Sequence, residues 1–471
     1  MDYGKTPSNA ETKRSIRFQW RIAVLAGAGM FIDGYDVSVI AVALPGLKEE
    51  WGIGNGLLSG VIASSVVVGM FFGMLYGGRL VDRFGRRKMY MYDLIGFVIF
   101  ALVAALAFNP PVLIFARFAL GLFIGADYPI SSSMTAEFTS PRRRGSYIIF
   151  MSLLWQLGSF SAYILGLVFL PIGDNAWRWM LGAGAILAVI VIILRHNVPE
   201  SPRWLRSQGR FSEAMRIEKQ VKDEYDITIG HKEENEPGTN RQRWVELFSP
   251  KMLRATVFCS VYWFAFAVSF YGIQMYTPTI LEPFAGGRHD LPFLGAALIA
   301  FLGVLGAALG MYAVEAFGRR KLIISCFCVM VAALVTLALW STPGLLVLVL
   351  LLSVTILMAN MGPGVLNMVY PNEMFPTRLR GSGVGFAGSV SRIGSILGVL
   401  LFPVLVGTWG MQNATWLFVG VALVGTVVSI TLAPETKGRS LDELENLADH
   451  GWRDKEGKMV FYGEYDSGER K

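Results

Sequence analysis

The sequence predicts an all-α membrane protein with twelve transmembrane helices in two pseudo-symmetric six-helix bundles. Three observations carry this expectation. Composition is the first: hydrophobic residues fill 53% of the 471 positions and charged residues only 16%, too few charges to coat a soluble domain. The second is a series of charge-free runs, each near the about 20 residues that cross a bilayer core. The third is an internal repeat that divides the chain in two.

The charge-free runs include 57–78, 94–116, 146–173, 255–281 and 291–314. Two longer ones, 322–372 and 393–434, each overshoot a single crossing and fold back once, at "STPG" (341–344) and "GTWGMQN" (407–413). With the interrupted segments around Asp33, Asp127 and 179–194, the spans fall near 22–46, 57–80, 88–108, 112–137, 146–171, 177–196, 253–281, 292–315, 321–341, 345–371, 382–407 and 413–433. Small residues such as Gly121 and Gly125 in the fourth span allow close helix approach.

Three motifs recur. "VDRFGRRK" (81–88) returns as "VEAFGRRK" (314–321), "EFTSPRRRG" (137–145) as "EMFPTRLRG" (373–381), and "PESPR" (199–203) as "PETKG" (434–438), at offsets of 233, 236 and 235 residues. Near-constant offsets indicate a duplicated six-helix unit. The chain then divides into an N-terminal segment (1–21), a first bundle (22–198), a polar linker (199–252) containing "HKEENEPGTNRQR", a second bundle (253–433) and a charged tail (434–471).

The net charge of +7 is not spread as in a nucleic-acid binder. Lys13, Arg14, Arg17 and Arg21 precede the first span, Arg79 to Lys88 sit between the second and third, and Arg142 to Arg144 follow the fourth. The loops "FNPP" and "GTWGMQN" carry no basic residue. This asymmetry puts both termini in the cytoplasm; the expected location is the plasma (cell inner) membrane. The first span lacks a small-residue cleavage site and reads as retained. Cys259, Cys326 and Cys328 all fall within spans, so no disulfide framework or metal site is indicated.

Ionisable groups inside the membrane are expensive and mark function or a partner. Asp33 and Asp36, in "GMFIDGYD" (29–36), lie three residues apart on one helical face. They stand about 17 and 21 Å above a helix start near Ile22. The fourth span runs antiparallel and brings Arg117 to the depth of Asp36, with Asp127 nearer the cytoplasm. Arg392 lies about 15 Å into the eleventh span, too deep to snorkel. Two roles are open for it: a salt bridge to Asp33 or Asp36, or a planar fork of donors for a substrate carboxylate or phosphate.

Two parallel six-helix repeats are the plan of major facilitator transporters, and "GRLVDRFGRRK" (78–88) resembles the signature of that superfamily. "PESPRWL", "EMFPTRLRG" and "PETKG" resemble its sugar porter branch. "GADYPISSSMTAEF" (125–138), "GPGVLNMVYPNEMFP" (362–376) and "SRIGSILG" (391–398) look most like bacterial proteins described as metabolite transporters. The resemblance implies that Asp36 of "GYD" and Arg117, which opens "RFALGLFIG", form a proton-coupling pair. Burial makes a carboxylate hold its proton and an adjacent guanidinium favours release; the alternative is a static ion pair. Asp33 and Asp127 form a second proton route or hydrogen-bond to neighbouring helices. "ADYP" also resembles phosphate:proton symporters, but two of their phosphate-site positions are Ala267 and Gly364 here, which argues against inorganic phosphate.

Amides for hydroxyls and aromatic faces for ring C–H surface are what a sugar-like substrate needs. Gln156 in "WQLG" matches the fifth-span Gln of sugar porters. Its neighbour Trp155 points to lipid or core. Tyr35, Trp263, Tyr271, Gln274, Tyr276, Asn360 and Asn367 are further candidates, the last two sharing a face seven residues apart. The sugar porter Gln-Gln-x-x-Gly-x-Asn run of the seventh span is absent, so a hexose is not implied. The resemblance makes Asp82, Arg86, Glu137, Arg144, Glu315, Arg319, Glu373 and Arg380 a cytoplasmic gate whose charges meet when that side closes.

With no phosphate-cradling loop, no assembled nucleophile and base, and no cofactor motif, the expected function is secondary transport rather than enzymatic. A monomer would take up a small hydrophilic metabolite (sugar, polyol or organic acid) with protons, using the proton gradient and no cofactor. The alternatives are an uncoupled facilitative carrier, an inorganic phosphate:proton symporter, and a nutrient sensor that binds without transport.

Overall fold

The computed structural model describes residues 13–139, 144–196, 198–225, 245–288, 290–340, 343–376, 379–439, 441–449 and 452. All regular structure among them is helical. The first bundle consists of α1 (Lys13–Trp51), α2 (Leu57–Phe84), α3 (Arg86–Ala105), α4 (Pro110–Phe138), α5 (Arg144–Phe169) and α6 (Ala176–Arg195). Two shorter helices follow, α7 (Pro202–Ser207) and α8 (Phe211–Tyr225). The second bundle has α9 (Leu253–Gln274), α10 (Thr277–Leu281), α11 (Asp290–Phe317), α12 (Arg319–Leu339), α13 (Leu345–Ala359), α14 (Val365–Met374) and α15 (Arg380–Leu432), followed by α16 (Leu441–Asp449). The linker segment "HKEENEPGTNRQR" lies outside the described residues.

Eleven of these helical segments are long and apolar enough to cross a membrane. The twelfth crossing is hidden in α15, whose 53 residues would extend about 80 Å if straight. Gly410 breaks it with φ 81° and ψ 162°, a conformation that a side chain disfavours, and this break falls within "GTWGMQN". α1 begins at Lys13, nine residues before the expected first span, because Phe18 and Ile22 pack against Phe138 and Tyr90 and turn that segment into helix.

α13 and α14 form one crossing with a wide turn between them. Pro363 in "NMGPG" has no N–H for the carbonyl four residues earlier, and residues Asn360–Gly364 relax into a π-helix. The seventh crossing is also interrupted, at Met275 and Tyr276 between α9 and α10.

Small residues set the spacing inside the first bundle. Gly69 and Gly73 of α2 face Gly121 and Gly125 of α4 so closely that a methyl at any of them would strike opposing backbone, as the sequence led us to expect. Gly34 of α1 and Gly158 of α5 meet the same way, against the carbonyls of Trp155 and Phe31.

The repeated motifs occupy matching places. Gly85 (φ 94°) and Gly318 (φ 84°) turn the chain into α3 and α12. Glu200 then accepts from the backbone N–H of Arg86 (3.0 Å) and Arg87 (3.1 Å), and Glu435 from those of Arg319 (2.9 Å) and Arg320 (3.1 Å). A carboxylate on the free N–H groups of a helix start satisfies both hydrogen bonding and the helix dipole. Of the three cysteines, Cys259 and Cys326 are buried and Cys328 faces outward from α12.

Candidate functional site: a buried charged and polar band between the bundles

α1 and α4 carry Asp36 and Arg117 into the interior, where they are 1% and 0% exposed. Their contact differs from a side-chain ion pair. Arg117 Nη2 donates to the backbone carbonyl of Asp36 at 3.2 Å, while Asp36 Oδ2 and Arg117 Nε and Nη1 have no hydrogen-bond partner. The carboxylate faces Gly184 of α6, where a methyl would lie 2.5 Å from Oδ2. The two groups are neighbours with unfilled bonding capacity, in electrostatic reach of one another.

Asp127 has a partner that the sequence reading missed. Arg195, at the end of α6, is fully buried and forms an ion pair with Asp127 at 3.3 Å, with Asp93 of α3 at 3.9 Å. Its guanidinium also donates to the carbonyls of Leu25 (3.1 Å) and Ala26 (3.5 Å) and lies 3.5 Å from the ring centre of Tyr90. Ser131 donates to Asp127 at 3.0 Å. Gly29 makes room for this cluster, because a methyl there would overlap Arg195 and Asp127. Asp33 lies one turn further along the same face of α1. It makes no ion pair within 4 Å among the described residues, and its Oδ2 has no hydrogen-bond partner.

Arg392 departs from one of its two expected roles. No carboxylate among the described residues lies within 4 Å of it, so the salt bridge to Asp33 or Asp36 is not made. Its neighbours are neutral instead: Nη1 donates to the Tyr271 hydroxyl at 3.0 Å, and the guanidinium lies 5.1 Å from the ring centre of Tyr128 and 5.9 Å from that of Tyr271. Nε has no partner.

Polar contacts link the bundles at mid-depth. Gln156 of α5 donates to Asn360 of the π-turn, and Gln274 of α9 donates to Ser159, which pairs with Ser38 at 2.7 Å. Tyr163 donates to the Gln274 carbonyl at 2.6 Å. With its amide oriented to satisfy both neighbours, Asn367 donates to the Pro363 carbonyl (2.9 Å) and accepts from Trp263 Nε1 (3.1 Å). Trp155 is 7% exposed and stands 6.1 Å from Tyr271 and 6.2 Å from Phe270, ring to ring. It therefore lies at the seam between the bundles, not against lipid.

Two of the candidate aromatics are engaged by backbone. The Tyr35 hydroxyl donates to the Met180 carbonyl at 2.6 Å and ties α1 to α6. Tyr276 likewise bonds the Val399 carbonyl at 3.0 Å. Of the gate residues, Arg319 contacts Glu315 at 3.0 Å and Glu373 at 3.1 Å. These three belong to one bundle, so in this state they brace α11, α12 and α14 rather than join the two halves. Arg86 meets Glu200 through its backbone N–H, and Arg380 is within electrostatic reach of Glu445. The side chains of Asp82, Glu137 and Arg144 lie outside the described residues.

Two repeated bundles with interrupted crossings, buried charges inside the first and polar contacts across their seam have the build of a membrane carrier. The chain belongs to the Sugar (and other) transporter family, whose profile matches residues 20–448. It is 33% identical over 434 residues to the inner membrane metabolite transport protein YgcS of Escherichia coli K12, covering 92% of this chain and 95% of that one. It is 29% identical to the arabinose-proton symporter of Bacillus subtilis 168, covering 92% and 96%. The xylose transporter XylE of E. coli, in a partially occluded inward-open conformation, shares the fold with a TM-score of 0.75 at 20% identity, over 90% of this chain and all of XylE. The protein is thus an integral membrane transporter of the sugar porter branch, with the major facilitator fold, and not an enzyme. Its substrate is a small molecule.

Proposed function

We propose that this transporter takes up a small hydrophilic metabolite (sugar, polyol or organic acid) together with protons by alternating access. Both termini are cytoplasmic, the membrane is the cell inner membrane, the working unit is a monomer, and the proton gradient supplies the energy without a cofactor. The observation that carries the reading is Asp36 beside Arg117, both fully buried, with the guanidinium bonded to the Asp36 backbone carbonyl and not to its carboxylate. A carboxylic acid in such a place holds a proton while the guanidinium is turned to the backbone, and releases it when the guanidinium swings onto the carboxylate. The rocking of the two bundles supplies that swing.

The arabinose-proton symporter and the xylose transporter among its relatives support a hydroxylated substrate and proton coupling. Gln156 and Asn360 are the amides best situated for hydroxyl groups, with Trp263, Tyr271, Gln274 and Asn367 around them. Asp33 is the stronger candidate for a second proton acceptor, since Asp127 is already compensated by Arg195.

The test is uptake into proteoliposomes with and without an inward proton gradient, using sugars, polyols and carboxylates that first raise the thermal stability of the purified protein. Asp36→Asn is expected to abolish uphill accumulation and to leave exchange of substrate across the membrane intact. Full accumulation by this variant would remove Asp36 from coupling.

A further inference from the structure

We propose that the substrate is a polyhydroxylated monocarboxylate, a sugar acid, whose carboxylate is received by Arg392 and whose hydroxyls meet Gln156, Asn360 and Gln274. This rests on the transport reading above and adds the substrate's charge to it. The argument begins with unused bonding capacity. A buried guanidinium with no carboxylate in ion-pair contact is costly unless a ligand brings one, and the polar contacts of Arg392 within 4 Å come from tyrosines, with the rings of Tyr128 and Tyr271 beside it and Asp33 only at longer electrostatic range. Two donors flank Tyr271 and have no partner: Arg392 Nε, and Trp155 Nε1 on the ring 6.1 Å from Tyr271. Both require an acceptor, and a carboxylate offers two oxygens in the plane of a guanidinium fork.

One turn beyond Tyr271 on α9, Gln274 has the opposite need. Its amide nitrogen is engaged by Ser159, while its Oε1 is buried without a donor. A hydroxyl supplies one. Gln156 and Asn360 bond each other across the bundle seam and can open to a second hydroxyl, with Trp155 next to Gln156 in the chain. The site therefore lacks an anion at one end and hydroxyl donors at the other. Trp263 packs 3.6 Å from where a methyl on Gly388 would stand, one turn before Arg392.

Charge counting chooses among anions. One guanidinium neutralises a monoanion. A sugar phosphate dianion would leave one negative charge unmatched in low dielectric.

The experiment is a thermal-shift titration of the full-length purified protein, at concentrations up to about 100 times the half-maximal effect. Each acid is matched to probes that lack one feature: D-gluconate against D-glucitol, D-galacturonate against D-galactose, with hexanoate lacking hydroxyls and D-glucose 6-phosphate carrying the larger charge. The two sugar acids are expected to raise Tm and the other four to leave it unchanged. Arg392→Gln is expected to weaken acid binding about 100-fold, and Arg392→Lys, which keeps the charge and loses the fork, about 10-fold. Asn360→Ala is expected to weaken both acids.

Stabilisation by D-glucitol or D-galactose at least equal to that by the acids overturns the proposal while leaving a sugar or polyol carrier standing. An acid response that survives Arg392→Gln overturns it too, as does the absence of any response to either acid, or a response to the phosphate alone. Loss of proton-gradient dependence with the acid response intact overturns the coupling reading instead.

Discussion

Two buried arginines, one in each half, have been given opposite surroundings. Arg195 ends α6 and is surrounded by Asp127, Asp93, two backbone carbonyls and the Tyr90 ring. Arg392 lies in the first half of α15 among Tyr128 and Tyr271, with no carboxylate within 4 Å among the described residues. The same side chain is held as a brace in the first case and is left without a carboxylate in the second. What separates them is compensation rather than depth: a compensated ion holds helices together, and an uncompensated one waits for a partner that arrives from outside.

The comparison can be broken most severely at Arg195. Arg195→Gln leaves Asp127 and Asp93 buried and unpaired, and should destabilise the protein by about 3–5 kcal/mol in a chemical or thermal denaturation series. Adding Asp127→Asn and Asp93→Asn should recover most of that loss. If the triple variant is no more stable than the single, the cluster is not the brace described here.

A smaller loss is expected from Gly29→Ala, which pushes a methyl into the same ion cluster; about 1–3 kcal/mol is typical of overpacking. A cost as small at Gly29 as at the open Gly420, which has nothing near its Cβ direction, would mean the cluster is looser than its geometry indicates. Arg392→Gln should then leave the ligand-free protein within about 1 kcal/mol of the parent, or more stable, because it removes an uncompensated buried charge. A loss as large as that of Arg195→Gln would erase the contrast. The smallest effect belongs to Glu315→Gln. Its side chain is 69% exposed although it touches Arg319, and such pairs contribute about 0.5 kcal/mol or less. That measurement sharpens the contrast between pairs at the edge and pairs in the interior.

The spans were legible because a lipid-crossing helix needs a run of apolar residues, and the fold-back at Gly410 because the charge-free run 393–434 is about twice the length of one crossing. The duplicated halves were legible from three motifs. What the motifs do for each other was not: nothing in "PESPR" or "PETKG" announces that Glu200 and Glu435 cap the helices begun by Gly85 and Gly318.

Asp36 and Arg117 stood out as charges inside greasy runs, whereas Asp93 and Arg195 were passed over at the borders of theirs, where charge is ordinarily solvated. Asp93 lies two turns inside α3, which starts at Arg86, and no apolar run in the sequence marks that depth. The surroundings of Tyr35 were not legible for another reason. Its place between two aspartates says nothing about rotation, and the carbonyl of Met180 claims its hydroxyl.

The cysteines have a practical consequence. Two of the three are sealed in the protein interior, and the third projects from the middle of a lipid-crossing helix. Water-soluble maleimides should therefore find no target on the unmodified chain. A single thiol engineered at a loop would report alone, so spectroscopic distance measurements on the moving halves need no prior removal of native cysteines.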